Sequence, residues 1–331
     1  MRAVQVDPAE QSLRVVEVAD PVAGPGQLLV KVRAAGLNRA DLIARAGRYV
    51  VSTSATGTAA PPRPFIGGGE LAGEVVAIGE GVTGWSVGDR VMSQGPGYAE
   101  LAVVSAALAM PVPHALSWEQ AGALPVALLT MHDALVTNGR WRSGESVLVH
   151  AVTSGVGVVG AQMALHLGAP LVLGTSRSSA KREQVAAYLG DGRFAAVAPD
   201  ELVAAARART DGRGVDVTID NVGANVLEAT LEAAAILGRI VQVGRLGGRM
   251  GTFDLDELAR KRVSLIGVTF RTRNADERRA VRDAAWHDLA AAVAAGALRP
   301  LVHEAFPLAE AEAAQAAMGA DGHVGKLVLV P

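Results

Sequence analysis

The 331-residue chain sets 31 Lys and Arg against 33 Asp and Glu, and half of its residues are hydrophobic. A formal net charge of −2 leaves no electrostatic footprint for nucleic acid or an acidic membrane surface. Zero cysteines exclude disulfides, thiolate nucleophiles and every cysteine-ligated zinc or iron–sulfur site. The length suits two domains, each with its own core. The opening MRAVQVDPAEQ has no apolar leader core, and no apolar run approaches ~20 residues, so a soluble, cytoplasmic protein is expected.

From Met1 to about Ala109 the texture is all-β. LLVKVRAAG, GELAGEVVAIG and DRVMSQG are short apolar or alternating runs between Gly, Pro and Asp turns, which predicts a small irregular barrel. The polar stretch Val51–Pro64 reads as a long surface loop. At Ser117 the pattern changes: SWEQAGALPVALLTMHDALVTNG opens on a capping box, Ser117 with Gln120, and continues with helical spacing. Strands and helices then alternate through SVLVHAV, GVVGAQMALHLG, PLVLGTS, SAKREQVAAYLG, VDVTIDNVG, ANVLEATLEAAAILG, RIVQVG and VSLIGVTF. Such alternation predicts a doubly wound parallel sheet. A helix-rich tail follows Arg273 and closes on HVGKLVLVP, a strand expected to return to the first domain.

Between SVLVHAV and the next helix lies Gly155-x-Gly157-x-x-Gly160. Three glycines alone say little, but a buried β-branched strand before them and a helix after them make the setting of a dinucleotide turn. Gly155 is expected to permit the bend, Gly157 to let backbone N–H groups reach the pyrophosphate, and Gly160 to let helix and strand pack. The phosphates then meet the positive end of the helix. Thr153, Ser154, Val156 and Val158 complete the expected turn. About twenty residues on, where an acid would select NAD, the chain has Thr175, Ser176, Arg177 and, a helical turn later, Lys181. Hydroxyls and cations favour a 2′-phosphate, so NADPH is the expected cofactor. Each cation alone is also readable as an ordinary charge at a helix start.

Taken together, AAGLNRADLIARAGRY, GGGELAGEVVAIGEGV, VGDRV, HAVTSGVGVVGAQMA, GRGVDVTIDNVG, GRIVQVG and HVGKLVLV resemble the zinc-independent quinone oxidoreductase branch of the medium-chain dehydrogenase/reductase superfamily. The resemblance covers nearly the whole chain. It implies an α/β architecture in which a GroES-like β-barrel (residues 1–122 and 270–331) flanks a Rossmann NADP-binding domain (residues 123–269). Zinc-dependent relatives carry Cys near position 38 and His in a Gly-His-Glu triplet. Here Asn38 and Gly69 stand in those places, the structural-zinc lobe is absent, and the remaining Glu70 cannot make a tetrahedral site alone, so no metal is expected.

The resemblance sets Asn38, Asp41 and Tyr49 around the nicotinamide, with Thr130 facing them. Asn38, Tyr49 and Thr130 are the expected catalytic residues, the first two as donors to a substrate carbonyl. Alternatively, Asn38 caps a turn, Asp41 orients its own loop and Tyr49 is a loop residue. Asn221, Val243, Gly244 and Arg245 fall at strand ends where open α/β sheets bind ligands. Thr269, Phe270 and Arg271 resemble a segment approaching nicotinamide and substrate; Lys326 reads either as a cofactor contact or as a surface charge. His150 reads as a satisfied core histidine rather than an acid. A relative's tyrosine near the adenosine phosphate is missing from RFAAVAP, which leaves the 2′-phosphate to Arg177 and Lys181.

Without a Lewis acid, hydride transfer to a quinone needs chiefly positioning and a donor for the developing oxyanion. NADPH-dependent quinone reduction is the leading expectation. Reduction of an activated C=C bond is the alternative, although an enoyl-thioester would want a basic entrance and the Val51–Pro64 loop offers only Arg63. A non-catalytic crystallin-like binding role is the third reading, and the intact phosphate turn argues against it. The apolar segment Val263–Phe270 is an expected edge strand, which predicts a homodimer.

Overall fold

The computed structural model describes residues 1–49 and 63–331, so the expected loop lies outside the described residues as far as Pro62. Two compact units emerge: Met1–Val126 with Phe270–Pro331, and Ala127–Thr269. The first crossing falls after Val126 rather than Gly122.

The first unit opens with β1 (Arg2–Asp7), β2 (Ser12–Glu17), β3 (Gln27–Gly36) and helix α1 (Arg39–Arg45). It continues with β4 (Phe65–Ile66), β5 (Glu70–Ile78), β6 (Arg90–Gln94), β7 (Leu101–Ser105) and β8 (Met110–Pro111). Alternating apolar residues of β3, among them Leu28, Val30 and Val32, bury one face of the long strand against Leu71, Val75 and Val104. Helix α2 (Trp118–Gly122) starts on the expected cap, Ser117 Oγ accepting from Gln120 N–H.

The run after Ser117 is not one helix. Helix α3 (Pro125–His132) is a separate element, because Pro125 has no N–H to continue α2 and suits a first helical turn. A wide π turn at Asp133–Asn138 follows it.

The second unit contains β9 (Val147–His150), α4 (Gly155–His166), β10 (Val172–Thr175), α5 (Ser179–Leu189), β11 (Phe194–Val197) and α6 (Leu202–Arg209). Then come β12 (Val215–Asp220), α7 (Leu227–Ala233), β13 (Ala234–Gln242), α8 (Leu255–Lys261) and β14 (Ser264–Gly267). All six strands are parallel, in the order β11-β10-β9-β12-β13-β14. The strand order reverses between β9 and β12, where open sheets bind their ligands. The Ala-rich helix expected through Leu237 stops at Ala233. Ala234 instead pairs with Val215, and Leu237 takes a left-handed φ of 64° where the strand turns in irregularly. Sheet pairing outweighs alanine's helix preference there.

The chain re-enters the first unit as α9 (Ala275–Ala294), β15 (Val302–Pro307), α10 (Ala311–Gly319) and β16 (Lys326–Val330). As expected, the last strand joins the first sheet: β16 pairs antiparallel with β3 through Val328 and Gly36. No helix among the described residues is long and apolar enough to cross a membrane.

Candidate functional site

In the second unit, the turn between β9 and α4 is sharp at Ala151, whose φ is 51°. Gly155, expected to make that bend, is the ordinary first residue of α4. Ser154 caps the helix: its Oγ accepts from Gly157 N–H at 3.1 Å and donates to Ala151 O at 2.7 Å. A Cβ on Gly157 would stand 2.3 Å from Ala151 O, so only glycine lets the helix sit this close to its turn. Gly160 serves α3 rather than the strand, since its Cβ would meet Met131 Sδ at 2.8 Å. Val156 is half-buried in the first turn. Val158 drops out of the expected contacts, because its side chain is buried in the core and its N–H is spent on Ser154 O. The capped, side-chain-free start of α4 suits a pyrophosphate.

Beside it, Thr153 Oγ1 and Ser176 Oγ lie 3.2 Å apart, joining the β9 turn to the end of β10. Thr175 is corrected: it is buried, and its hydroxyl faces His150 Nδ1 at 2.8 Å. His150 Nε2 meets Thr230 Oγ1 at 2.7 Å, and Thr230 gives its own proton to Val226 O. Nε2 therefore carries the ring proton and Nδ1 accepts from Thr175. Burial pushes the His150 pKa down to about 3, so the ring is neutral, the core histidine expected from sequence. Arg177 is exposed, Lys181 is half-buried, and Ser178 caps α5. Arg182 was not anticipated. Its Nη1 donates to Ser176 O at 2.7 Å, and its place beside Lys181 in SAKRE is the signal that could have found it.

At the ends of β12 and β13, Val243 and Gly244 both donate their N–H to Asp220 O, at 2.8 and 3.0 Å. Asp220 Oδ1 in turn accepts from the N–H groups of Val222 and Gly223, although burial still raises its pKa. Asn221 Nδ2 donates to His150 O at 3.0 Å. Arg245 is exposed on the following turn. Thr130 is half-buried on α3, and Thr269 is half-buried beyond β14.

The first unit gathers Asn38, Asp41, Glu70, Tyr98 and Lys326. Lys326 is neither a surface charge nor an available cofactor contact. It is 3% exposed, and its ammonium donates to Glu70 Oε1 at 2.5 Å, Asn38 Oδ1 at 2.8 Å and Leu37 O at 3.3 Å. Asn38 Nδ2 donates to Glu70 Oε1 at 2.9 Å and weakly to Gly36 O. Both ends of the Asn38 amide are thus spent internally, which corrects its expected role as a substrate donor. Glu70 Oε2 accepts from Val126 N–H at 2.7 Å. Gly36 is obligatory beneath this cluster, because a Cβ there would lie 2.4 Å from Glu70 Oε1.

Asp41 does orient its own loop. Its Oδ2 accepts from Asn38 N–H at 2.8 Å and from the Tyr98 hydroxyl at 2.7 Å. Burial raises its pKa to about 6 against the pull of those donors and of Lys326. Tyr98, fully buried, went unnoticed in the sequence because its partner is 57 positions away.

Tyr49 stands apart from that cluster. The Arg271 guanidinium lies 5.6 Å over its ring, and burial raises its pKa, so the hydroxyl is protonated at neutral pH and able to donate. Phe270 carries the Arg273 guanidinium at 5.3 Å and accepts from Arg278 at its carbonyl. Among the described residues no group of three or more His, Cys, Asp or Glu is placed to hold a metal ion.

Two protein families match the chain: "Alcohol dehydrogenase GroES-like domain" over residues 24–114 and "Zinc-binding dehydrogenase" over residues 155–286. Polyketide synthase GfsB of Streptomyces halstedii is 32% identical over 92% of the chain, which spans only 5% of that enzyme. A quinone oxidoreductase of Rattus norvegicus is 30% identical over 95% of the chain and 92% of its own length. Among solved structures, the quinone oxidoreductase of Thermus thermophilus, described also in complex with NADPH, is 30% identical over the whole of both chains, with a TM-score of 0.83.

Proposed function

Since this chain belongs to the quinone oxidoreductase-like branch of the medium-chain dehydrogenase/reductase superfamily, we propose that it is an NADPH-dependent, metal-independent reductase of quinones. The observation that carries this reading is the start of α4: capped by Ser154, closed to side chains at Gly157, and set at the point where the strand order reverses. NADPH supplies the hydride when bound. Ser176 and Arg177 stand directly after β10, where an acid would select NAD, and Lys181 and Arg182 follow on α5, which supports NADPH over NADH. Charge-assisted contacts contribute roughly 1.5–3 kcal/mol each, so Arg177→Ala is expected to narrow the preference about tenfold or more. Equal turnover of NADPH and NADH by the wild type would overturn this.

Metal independence is supported by the absence of cysteine and by the Lys326 ammonium, which already holds Glu70 and Asn38. With Asn38 engaged, Tyr49 is the donor we assign to the substrate oxygen. Tyr49→Phe is expected to slow hydride transfer by about 1–3 kcal/mol of barrier, while Tyr49→Ala also raises KM. NADPH affinity changes in neither. Stopped-flow oxidation of bound NADPH by a soluble quinone is the test, and rates matching wild type in both variants would reduce Tyr49 to a loop residue.

One observation favours a second substrate class, the activated C=C bond of an enoyl-thioester. Within the first unit the Arg271 guanidinium lies over the Tyr49 ring, the Arg273 guanidinium over the Phe270 ring, and Arg278 donates to Phe270 O, a group of cations that would suit the phosphates of such a substrate. The polyketide synthase similarity points the same way. A higher kcat/KM for an enoyl-CoA than for quinones, falling steeply with salt, would select it.

We also assign a homodimer to the open edge at β14. Leu265 is 46% exposed there, and Ile236 of neighbouring β13 is 60% exposed. Light scattering should give twice the chain mass, and Leu265→Asp should halve it; a monomeric wild type would refute the assignment.

A further inference from the structure

A cavity of about 470 Å³ opens in the first unit between α1, α10 and the turn from β1 to β2. Among the described residues, Leu42, Ala46 and Ala316 give it an apolar wall. Its polar wall is made by Arg45 with Gln11, Glu312 and Gln315.

Arg45 is fixed in place but not saturated. Its side chain is 23% exposed, and Nε donates at 2.6 Å to the carbonyl of Gln11, which takes a left-handed φ of 51°. Nη2 donates to one carboxylate oxygen of Glu312 at 2.7 Å, and Nη1 reaches Gln315 Oε1 only at 3.5 Å. A guanidinium carries five N–H donors, so these three contacts leave two without an acceptor and a third with a poor one.

Gln315 adds further donors. It is 1% exposed, and its Nε2 has no acceptor in hydrogen-bond geometry, the nearby Tyr98 oxygen included. Turning the amide over would not cure this, because it would set Nε2 against the Arg45 guanidinium. Buried N–H groups left in this way mark a place where an acceptor is wanted.

Glu312 shows which acceptor suits the cation, but it holds its place weakly. Its side chain is 68% exposed and meets Arg45 through a single oxygen, an ion pair that water and salt readily loosen. A ligand carboxylate can meet the planar guanidinium through two oxygens instead.

We propose that this cavity binds a small carboxylate with a short apolar body. Its oxygens take the unspent donors of Arg45 and Gln315, and its carbon chain lies along Leu42, Ala46 and Ala316. Glu312 is the competing group that the ligand displaces. The proposal does not depend on the dinucleotide reading.

Calorimetric titration of the full chain with hexanoate and with hexan-1-ol tests it. Hexanoate is expected to bind once per chain, and Glu312→Gln should bind it about threefold more tightly, since the competing carboxylate is gone. Arg45→Met should weaken hexanoate binding about tenfold or more, and hexan-1-ol should bind wild type weaker by a similar factor. Ala316→Phe, at an exposed helix position, should also weaken hexanoate binding by filling the apolar wall. Absence of hexanoate binding by both wild type and Glu312→Gln would overturn the proposal. So would affinity that survives Arg45→Met, or hexan-1-ol binding as tightly as hexanoate. If Arg45→Met fails to fold, the other two variants decide: tighter binding in Glu312→Gln with weaker binding in Ala316→Phe supports the site, and any other pattern refutes it.

Discussion

Lys326→Met is expected to destabilise the first unit by about 3–5 kcal/mol, because it strands a buried carboxylate. Glu70 is 0% exposed and would keep Asn38 Nδ2 and Val126 N–H as donors, but lose its only cationic partner among the described residues. Asn38 Oδ1 and Leu37 O would lose a donor in the same step. Removing both charges is a different experiment from removing one. Lys326→Met combined with Glu70→Gln leaves no buried ion, so the double variant should be more stable than Lys326→Met alone. Urea unfolding of the wild type, both single variants and the double variant measures the coupling. A Lys326→Met protein within about 1 kcal/mol of wild type would mean that the pair contributes little net stability.

The second large effect is a pair of opposed responses to acid. His150 in the second unit has a folded pKa of about 3, below its ordinary value of 6.5. The unfolded chain therefore binds the extra proton first, and the stability tied to the neutral ring is complete above pH 6.5 and lost as pH falls toward 3. Asp41 in the first unit has a folded pKa of about 6, above its ordinary 3.8. Its contribution has the other sign: complete below pH 3.8 and lost as pH rises through 6. Between about pH 4 and 6 the second unit weakens on acidification while Asp41 strengthens the first.

Each full proton difference is worth about 1.4 kcal/mol per pH unit. The stability of His150→Gln minus that of wild type should therefore rise by roughly that slope as pH is lowered from about 6 to about 4. For Asp41→Asn the same difference should fall. Urea melts at fixed pH values read both slopes, and differences that stay flat with pH would show that neither group titrates differently on folding.

What could be read from the sequence was what repeats locally. Period-2 and period-3.6 patterns exposed the sheet of the second unit, and the strand–glycine–helix order exposed the start of α4. Side-chain partners far along the chain were invisible. Lys326 looked ambiguous because Glu70 and Asn38 lie 256 and 288 positions away, and nothing near KLVLV announces a buried ammonium. Thr175 looked like a ligand contact by position, until packing turned its hydroxyl to His150, 25 residues upstream. The bend assigned to Gly155 is made by Ala151, since a single left-handed non-glycine residue leaves no trace in composition. The end of α7 at Ala233 went unseen for a related reason: an alanine run favours helix, and only the β12 neighbour makes it a strand.

The place of β16 has a consequence for how the molecule is made. The second unit is one continuous stretch, Ala127–Thr269, whereas the first is divided around it. During synthesis the unit begun first is the unit finished last. Until residues 326–330 emerge, the edge of β3 at Ala35 and Gly36 lacks its neighbour, and the Glu70 carboxylate lacks its ammonium. The usual order, in which N-terminal domains mature first on the ribosome, is thereby inverted. The inserted unit can fold while the barrel around Glu70 still waits for its final strand, and a chain stopped a few residues short would leave that barrel with an open edge and a buried, uncompensated charge.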